Sequence, residues 1–134
     1  MTPVLVDSNV ILDVSYRDPN WGRWSRAAIA RASFTAQLVI NPIIYAEISI
    51  GYQSIEELEG LVPTAVFRRE PLPYEAAFLA GKSFLAYRRR GGQRTSPLPD
   101  FYIGAHAAVR GYRLLTRDVQ RFRTYFPTVA LLAP

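Results

Sequence analysis

The chain has no cysteine, which removes a disulfide framework, a thiolate metal site and a cysteine nucleophile together. Histidine occurs once, at His106. It lies six residues beyond Asp100, about 600° around a helix, and so points well away from that acid. It reads as structural, and no Ser-His-Asp arrangement is supported. No apolar run approaches the roughly 18 residues that a membrane span needs. The opening MTPVLVDSNVILDV has no basic leader and carries an acid in mid-run, unlike a signal peptide. A soluble, cytoplasmic protein is expected. Lysine is nearly missing too: fifteen of the 16 basic residues are arginine, with Lys82 the exception. The net charge of +5 suits a polyanionic partner such as nucleic acid, although arginine over lysine also follows from genome base composition.

What remains is a chain of 134 residues, 49% of them apolar, enough for one domain spanning 1–134 with a real core. Strand and helix signals alternate along it. Val4-Leu5-Val6 ends at Asp7, and Ser8-Asn9 stand where a cap belongs before a helix over 10–16. A helix over 21–33 sets Trp21, Trp24, Ala28 and Ala32 on one face, and 37–40 is a second strand. Asn41-Pro42 then opens a helix ending near Gly51, a capping residue followed by proline at the first position. Ser54 with Glu57 three residues later fits a capping box. A strand at 65–67 and a long helix over 74–90 with a basic end follow. Pro97 and Pro99 force an extended approach to a helix opening at Asp100, which Gly111 stops before a strand over 113–116. A short helix over 119–125 and a strand over 128–133 complete the chain. The alternation predicts an α/β domain, a parallel sheet of four to five strands flanked by helices on both faces.

In such a sheet, strand carboxyl ends and helix amino ends share one edge. Asp7 follows a strand, Asp100 opens a helix and Asp118 follows a strand, so all three are directed there. Each taken alone also reads as a cap or turn residue. Glu47 differs, because it sits in the apolar stripe of its helix with Ile43, Ala46, Ile50 and Gly51, and no basic residue lies between Arg31 and Arg68. A buried carboxylate without a partner is costly. Two carboxylates about 4 Å apart repel by on the order of 4 kcal/mol at an effective dielectric near 20. Four together must therefore take up protons or bind a cation. With oxygen donors only, the cation is a hard one, Mg2+ or Mn2+. Such an ion lowers the pKa of a bound water and stabilises a leaving oxygen, which in a basic protein suggests phosphodiester chemistry.

In this order and spacing, Val4-Leu5-Val6-Asp7-Ser8-Asn9, the mid-helix Glu47, Asp100 opening FYIGAHA, and Leu114-Leu115-Thr116-Arg117-Asp118 followed by Arg121-Phe122 resemble a PIN-domain ribonuclease. The likeness is greatest to the VapC toxins of prokaryotic toxin–antitoxin pairs, and it covers nearly the whole chain. It implies a parallel sheet between helices, Mg2+- or Mn2+-dependent cleavage of RNA, a homodimer and an inhibitory antitoxin partner. By position, Asp7, Glu47 and Asp100 match the family's three main acids, and Asp118 matches the more variable fourth. Ser8 or Asn9 corresponds to the polar residue after the first acid, and Thr116 to a hydroxyl lining the pocket. The loop GGQRTSPLP before Asp100 is unusually rich in glycine and proline.

Arg88, Arg89 and Arg90, with Arg94 and Arg117, are candidates to hold an RNA backbone, the alternative being a solvated basic face. Asp13, Asp18, Glu56, Glu57, Glu59, Glu70 and Glu75 read as surface charge. Trp21, Trp24, Phe78, Phe84 and Tyr87 read as core or dimer interface rather than base-stacking platforms. Two other functions compete with the nuclease. A Mg2+-binding receiver-like signalling module wants paired acids after an early strand and a late lysine, and this chain has neither. A catalytically inactive PIN-like module that only binds RNA or protein would not need all four acids. Nothing in the residues reports on a 2′-hydroxyl, so a DNA-directed nuclease stays open.

Overall fold

The computed structural model describes residues 2–94 and 98–134. Along the chain come β1 (Val4–Val6), α1 (Ser8–Ser15), α2 (Gly22–Thr35), β2 (Leu38–Ile40), α3 (Pro42–Ser49) and α4 (Ile55–Leu61). They are followed by β3 (Phe67–Arg69), α5 (Tyr74–Arg89), α6 (Pro99–Arg110), β4 (Arg113–Leu115), α7 (Gln120–Tyr125) and β5 (Leu131–Leu132). The five strands form one all-parallel sheet in the order β3-β2-β1-β4-β5. In register, Leu5 of the central strand is flanked by Val39 and Leu114. β1 and β2 are buried throughout, which is why they read as unbroken apolar runs rather than alternating ones. The edge strand β3 instead exposes Arg68 and Arg69, charges that discourage pairing with another chain. β3 starts two residues later than the expected 65–67. The Pro63 carbonyl accepts from both Val66 and Phe67 N–H at 3.0 and 2.9 Å, so the chain is still turning there.

Successive strands step outward from β1 through β2 to β3, then the chain returns to the other side of β1 for β4 and β5. The order therefore reverses between β1 and β4, which opens a crevice at their carboxyl ends. The helices bordering it start where local chemistry tells them to. Asp7, not Ser8 or Asn9, is the N-cap of α1, its Oδ1 accepting from Ser8 N–H at 2.8 Å. Asn41 caps α3 by accepting from Ile44 N–H at 2.9 Å, with Pro42 at the first position. Ser54 caps α4 through Glu57 N–H at 3.3 Å. Leu98 is extended as a residue before proline must be, and α6 begins at Pro99, one residue ahead of Asp100. Gly111 closes that helix in the left-handed conformation, φ 67°, which costs glycine nothing. Thr95, Ser96 and Pro97, part of the expected proline-punctuated loop, lie outside the described residues.

α6 packs on α3, α5 and α7, and one close approach fixes its depth. A Cβ at Gly104 would lie 2.3 Å from the Phe126 ring, so only glycine fits. Phe84, Tyr87, Phe101, Tyr125 and Phe126 form an edge-to-face aromatic cluster between these helices. Two acids assigned to the surface are not there. Asp13 is buried, and Glu70 is largely covered, with 18% of its side chain exposed. Both have partners distant in sequence, described below. Among the described residues, no helix is long and apolar enough to cross a membrane.

Candidate active site

Asp7 leaves β1 directly into the crevice and is 3% exposed. Three groups hold it: Ser8 N–H at 2.8 Å on Oδ1, the Thr116 hydroxyl at 2.8 Å on Oδ2, and the Ser8 hydroxyl 3.5 Å from Oδ1. Thr116 comes from the end of β4, and its Oγ1 also accepts from the Asp118 N–H at 3.2 Å and the Asn9 amide at 3.5 Å. The Ser8 hydroxyl donates chiefly to Glu47 Oε1, at 2.8 Å. One short residue thus links the acid of β1 to the acid of α3. Ser8 and Thr116 contact Asp7 directly, and Asn9 reaches it through Thr116.

Asp100, in the first turn of α6, faces Arg121 Nη1 at 3.5 Å and shares a polar cleft with Asp118. The charges of these acids act on one another. Burial pushes the Asp7 carboxyl up to about 7, with Asp100 and Glu47 adding to the rise against the Thr116 and Ser8 hydrogen bonds. Burial also raises Glu47, helped by Asp100 and opposed by the Ser8 hydroxyl. Asp100 is raised by burial, opposed by Arg121 and helped by Asp118. The four predicted acids therefore lie along one edge of the sheet and feel each other's charge in a chain from Asp7 and Glu47 through Asp100 to Asp118. Asp118 is the exposed end of that chain.

A PIN-domain family model matches residues 4–126. The chain belongs to the PIN-domain family. No curated protein matches its sequence. Solved structures do match. VapBC2 from Rickettsia felis, bound to a DNA fragment from its promoter, is 14% identical with a TM-score of 0.75, covering 98% of each chain. VapBC-1 from nontypeable Haemophilus influenzae is 19% identical with a TM-score of 0.73, covering 98% of this chain and 97% of that one. FitAcB from Neisseria gonorrhoeae is 20% identical with a TM-score of 0.68, covering 96% of each chain. At these identities the likeness is one of fold.

Whether the PIN site suits a cation can be judged from its own atoms. The donors are all oxygen, as a hard divalent ion requires. Among the described residues, Asn9 Oδ1 is a buried acceptor with no hydrogen-bond partner, and burial, with Asp100 and Glu47 nearby, disfavours the charged form of Asp7. Among the described residues, no three acidic or histidine side chains stand as a ready-made ligand set. Each carboxylate is drawn to a separate donor: Asp7 to Thr116, Glu47 to Ser8, Asp100 to Arg121. The residues fit the ion in the chemistry of their donors.

Two buried polar clusters flank this PIN crevice, and the acids of both read from the sequence as surface charge. Asp13 on α1 accepts from Arg117 at 2.7 Å (Nε) and 3.1 Å (Nη2) and from Ser25 of α2 at 2.8 Å. Arg117, grouped above with the RNA-facing arginines, is instead committed to this pair and lies over the Trp21 ring. It stands between Thr116 and Asp118, so the pair pins the loop that carries both. On the other side, the Asn41 Oδ1 already caps α3, which turns its amide N–H toward His106 Nδ1 at 2.9 Å. Nδ1 must then be the acceptor, so the ring is the neutral Nε2–H form and donates to Glu70 at 2.6 Å. His106 is fully buried, and that burial holds its pKa below the usual value although Glu70 pulls the other way. Glu70 would be raised by burial, but the hydrogen bonds from His106 and Tyr112 overrule that and hold it low. The structural reading of His106 stands. Of the arginines at the end of α5, Arg90 lies over the Tyr125 ring and Arg88 donates to the Arg94 carbonyl, while Arg89 and Arg94 are exposed.

Proposed function

We propose that this PIN domain is a Mg2+- or Mn2+-dependent endoribonuclease and the toxin half of a toxin–antitoxin pair. The observation that carries the reading is Asp7: a carboxyl buried at the topological switch point, raised to about 7, with Glu47 and Asp100 acting on it. Asp7, Glu47, Asp100 and Asp118 would hold the ion, and Asn9 offers a spare buried oxygen beside them. A bound Mg2+ or Mn2+ supplies Lewis acidity toward water and phosphate. The protein's own part is to orient and to charge. Thr116 and the Ser8 N–H fix the plane of the Asp7 carboxylate, and the Ser8 hydroxyl holds Glu47 toward it. Because Asp7 titrates near neutrality, its proton leaves at little cost when a cation needs the ionised form. Arg121 beside Asp100, and Arg90 over the Tyr125 ring, supply positive charge for a phosphate backbone. An antitoxin partner is proposed from the likeness to the VapBC structures, and a homodimer from the resemblance to VapC toxins.

The test is cleavage of a single-stranded RNA pool with Mn2+, against excess EDTA and against Asp100→Asn. Loss of cleavage in EDTA, and a drop on the order of 10^2–10^3 for Asp100→Asn with the fold intact, are expected. Full activity in EDTA would refute metal dependence. No cleavage at any Mn2+ concentration would leave a binding module in place of an enzyme.

A further inference from the structure

Beside the acid row lies a cleft whose aromatic and polar side chains on α5 and α7 the catalytic reading leaves unused. Tyr87 from α5, with Gln120, Thr124 and Tyr125 from α7, lines this polar cleft of about 420 Å3, which Asp100, Asp118 and Arg121 also border. We propose that this cleft is a nucleobase subsite, seating the base of the nucleotide next to the cleaved phosphate and setting which base is preferred there. The inference rests on the nuclease reading above for the phosphate's position. It rests on the cleft's own residues for the base.

The walls have what a base needs. Arg121 lies over both the Tyr87 and Phe101 rings, each at 5.7 Å, while its far end reaches Asp100 at 3.5 Å. Tyr87 is itself stacked on Phe84 with 26° between planes. This pile of rings and guanidinium is anchored in the core through Phe101. Bases stack on guanidinium planes as well as on aromatic faces, so Arg121 offers a held platform rather than a wandering side chain. Arg90 over the Tyr125 ring supplies a second such pair at the rim. The polar groups are placed to read an edge. The Thr124 hydroxyl gives its proton to the Gln120 carbonyl at 2.9 Å and keeps lone pairs free as an acceptor. The exposed Gln120 amide offers both a donor and an acceptor. Stacking without such groups is sequence-tolerant, and hydrogen bonds to a base edge are what discriminate. Tyr87, read from the sequence as core or dimer interface rather than a stacking platform, lines this cleft together with Tyr125.

Two measurements test it together. In the first, wild type and Gln120→Ala/Thr124→Ala digest a randomised single-stranded RNA pool with Mn2+, and the product ends are sequenced. Both replaced side chains are exposed, so the fold is expected to survive. The wild type should prefer one base beside the cut by about tenfold, and the double variant should flatten that preference. In the second, Asp7→Asn binds a seven-nucleotide RNA carrying one abasic position, moved along the strand. Removing the base at one position should weaken binding by about tenfold, and Gln120→Ala/Thr124→Ala in the same background should narrow that difference. Cutting with a preference the double variant does not alter would overturn the subsite and leave the nuclease standing. No cutting, with one abasic position still decisive and sensitive to the double variant, would keep the subsite and overturn the nuclease. Binding indifferent to every abasic position would overturn the subsite.

Discussion

Replacing Asp7 by asparagine should make the metal-free protein more stable while abolishing the proposed RNA cleavage, and the gain should depend on pH in a defined direction. The native carboxyl is raised from 3.8 to about 7, so between those values the folded protein holds a proton that the unfolded chain has lost. Stability attached to Asp7 is therefore fully present below about 4 and drains away as pH rises through about 7. A rise from 3.8 to about 7 corresponds to roughly 4 kcal/mol. Asparagine removes that cost and keeps the contacts. Its Oδ1 can still accept from Ser8 N–H. Its amide would donate to Thr116 Oγ1, whose own proton can turn to the Asp118 carbonyl 3.3 Å away. Allowing for imperfect reorientation, we expect Asp7→Asn to gain about 2–3 kcal/mol at pH 8, or about 6–10 °C in Tm, falling toward zero near pH 4.

The assay is urea unfolding in EDTA, followed by the fluorescence of Trp21 and Trp24, repeated from pH 4 to 8. Adding Mn2+ at pH 8 should then stabilise the wild type, because a ligand that binds only the native state adds to its stability, and should leave Asp7→Asn nearly unmoved. A gain equal at pH 4 and pH 8, or a loss at pH 8, would refute the argument that Asp7 is an electrostatic burden in the metal-free fold. A stabilisation by Mn2+ that is the same in both proteins would refute the placement of the ion at Asp7.

Other substitutions probe the supports. Arg117→Met leaves the buried Asp13 with Ser25 alone, and because Arg117 is partly exposed we expect a loss of about 2–3 kcal/mol, read as a lower urea midpoint. His106→Phe strands the Asn41 amide and a Glu70 oxygen, costing about 2–3 kcal/mol. Because the native His106 pKa is lowered, its contribution is present above the unfolded value and lost on acidification, so wild type and variant should converge as pH falls below 6.5. Gly104→Ala drives a methyl group into the Phe126 ring and should cost about 1–3 kcal/mol with little effect on any metal-binding midpoint.

What the sequence disclosed, and what it hid, divides along the reach of the interactions. Asn41-Pro42, Ser54 with Glu57, and Gly111 act within a few residues, so their caps and stops were readable in place. Asp7, Asp100 and Asp118 were readable because strand ends and helix starts in a parallel sheet share an edge, whatever the tertiary detail. Glu47 stood out as an acid in an apolar stripe. Asp13 and Glu70 did not, because their partners lie 104 and 36 residues away and no periodicity marks such a pairing. The only available signal for Asp13 was its place in VILDVSY, an acid among apolar neighbours like Glu47, and the same logic applied there would have found it. β3 was misplaced for a different reason. An edge strand need not be apolar, so Arg68 and Arg69 carried no strand pattern.

The two hidden clusters explain how a PIN site built from flexible side chains can be assembled at all. Asp7, Thr116 and Asp118 sit on one wall, where the Asp13–Arg117 pair ties α1 and α2 to the loop after β4. Glu47 and Asp100 sit on the other, where Asn41, His106 and Glu70 tie α3 to α6 and to the end of β3. Apolar residues of the same size could serve as well for stability, since buried ion pairs seldom beat them. They would let the helices slide, because dispersion contacts are not directional. A two-point guanidinium–carboxylate contact and a histidine with both ring nitrogens engaged each permit essentially one arrangement of the elements they join. If that is their role, Arg117→Met and His106→Phe should lower Mn2+ affinity by about tenfold or more under conditions where both proteins remain folded. Stability lost with metal affinity unchanged would make these clusters simple struts.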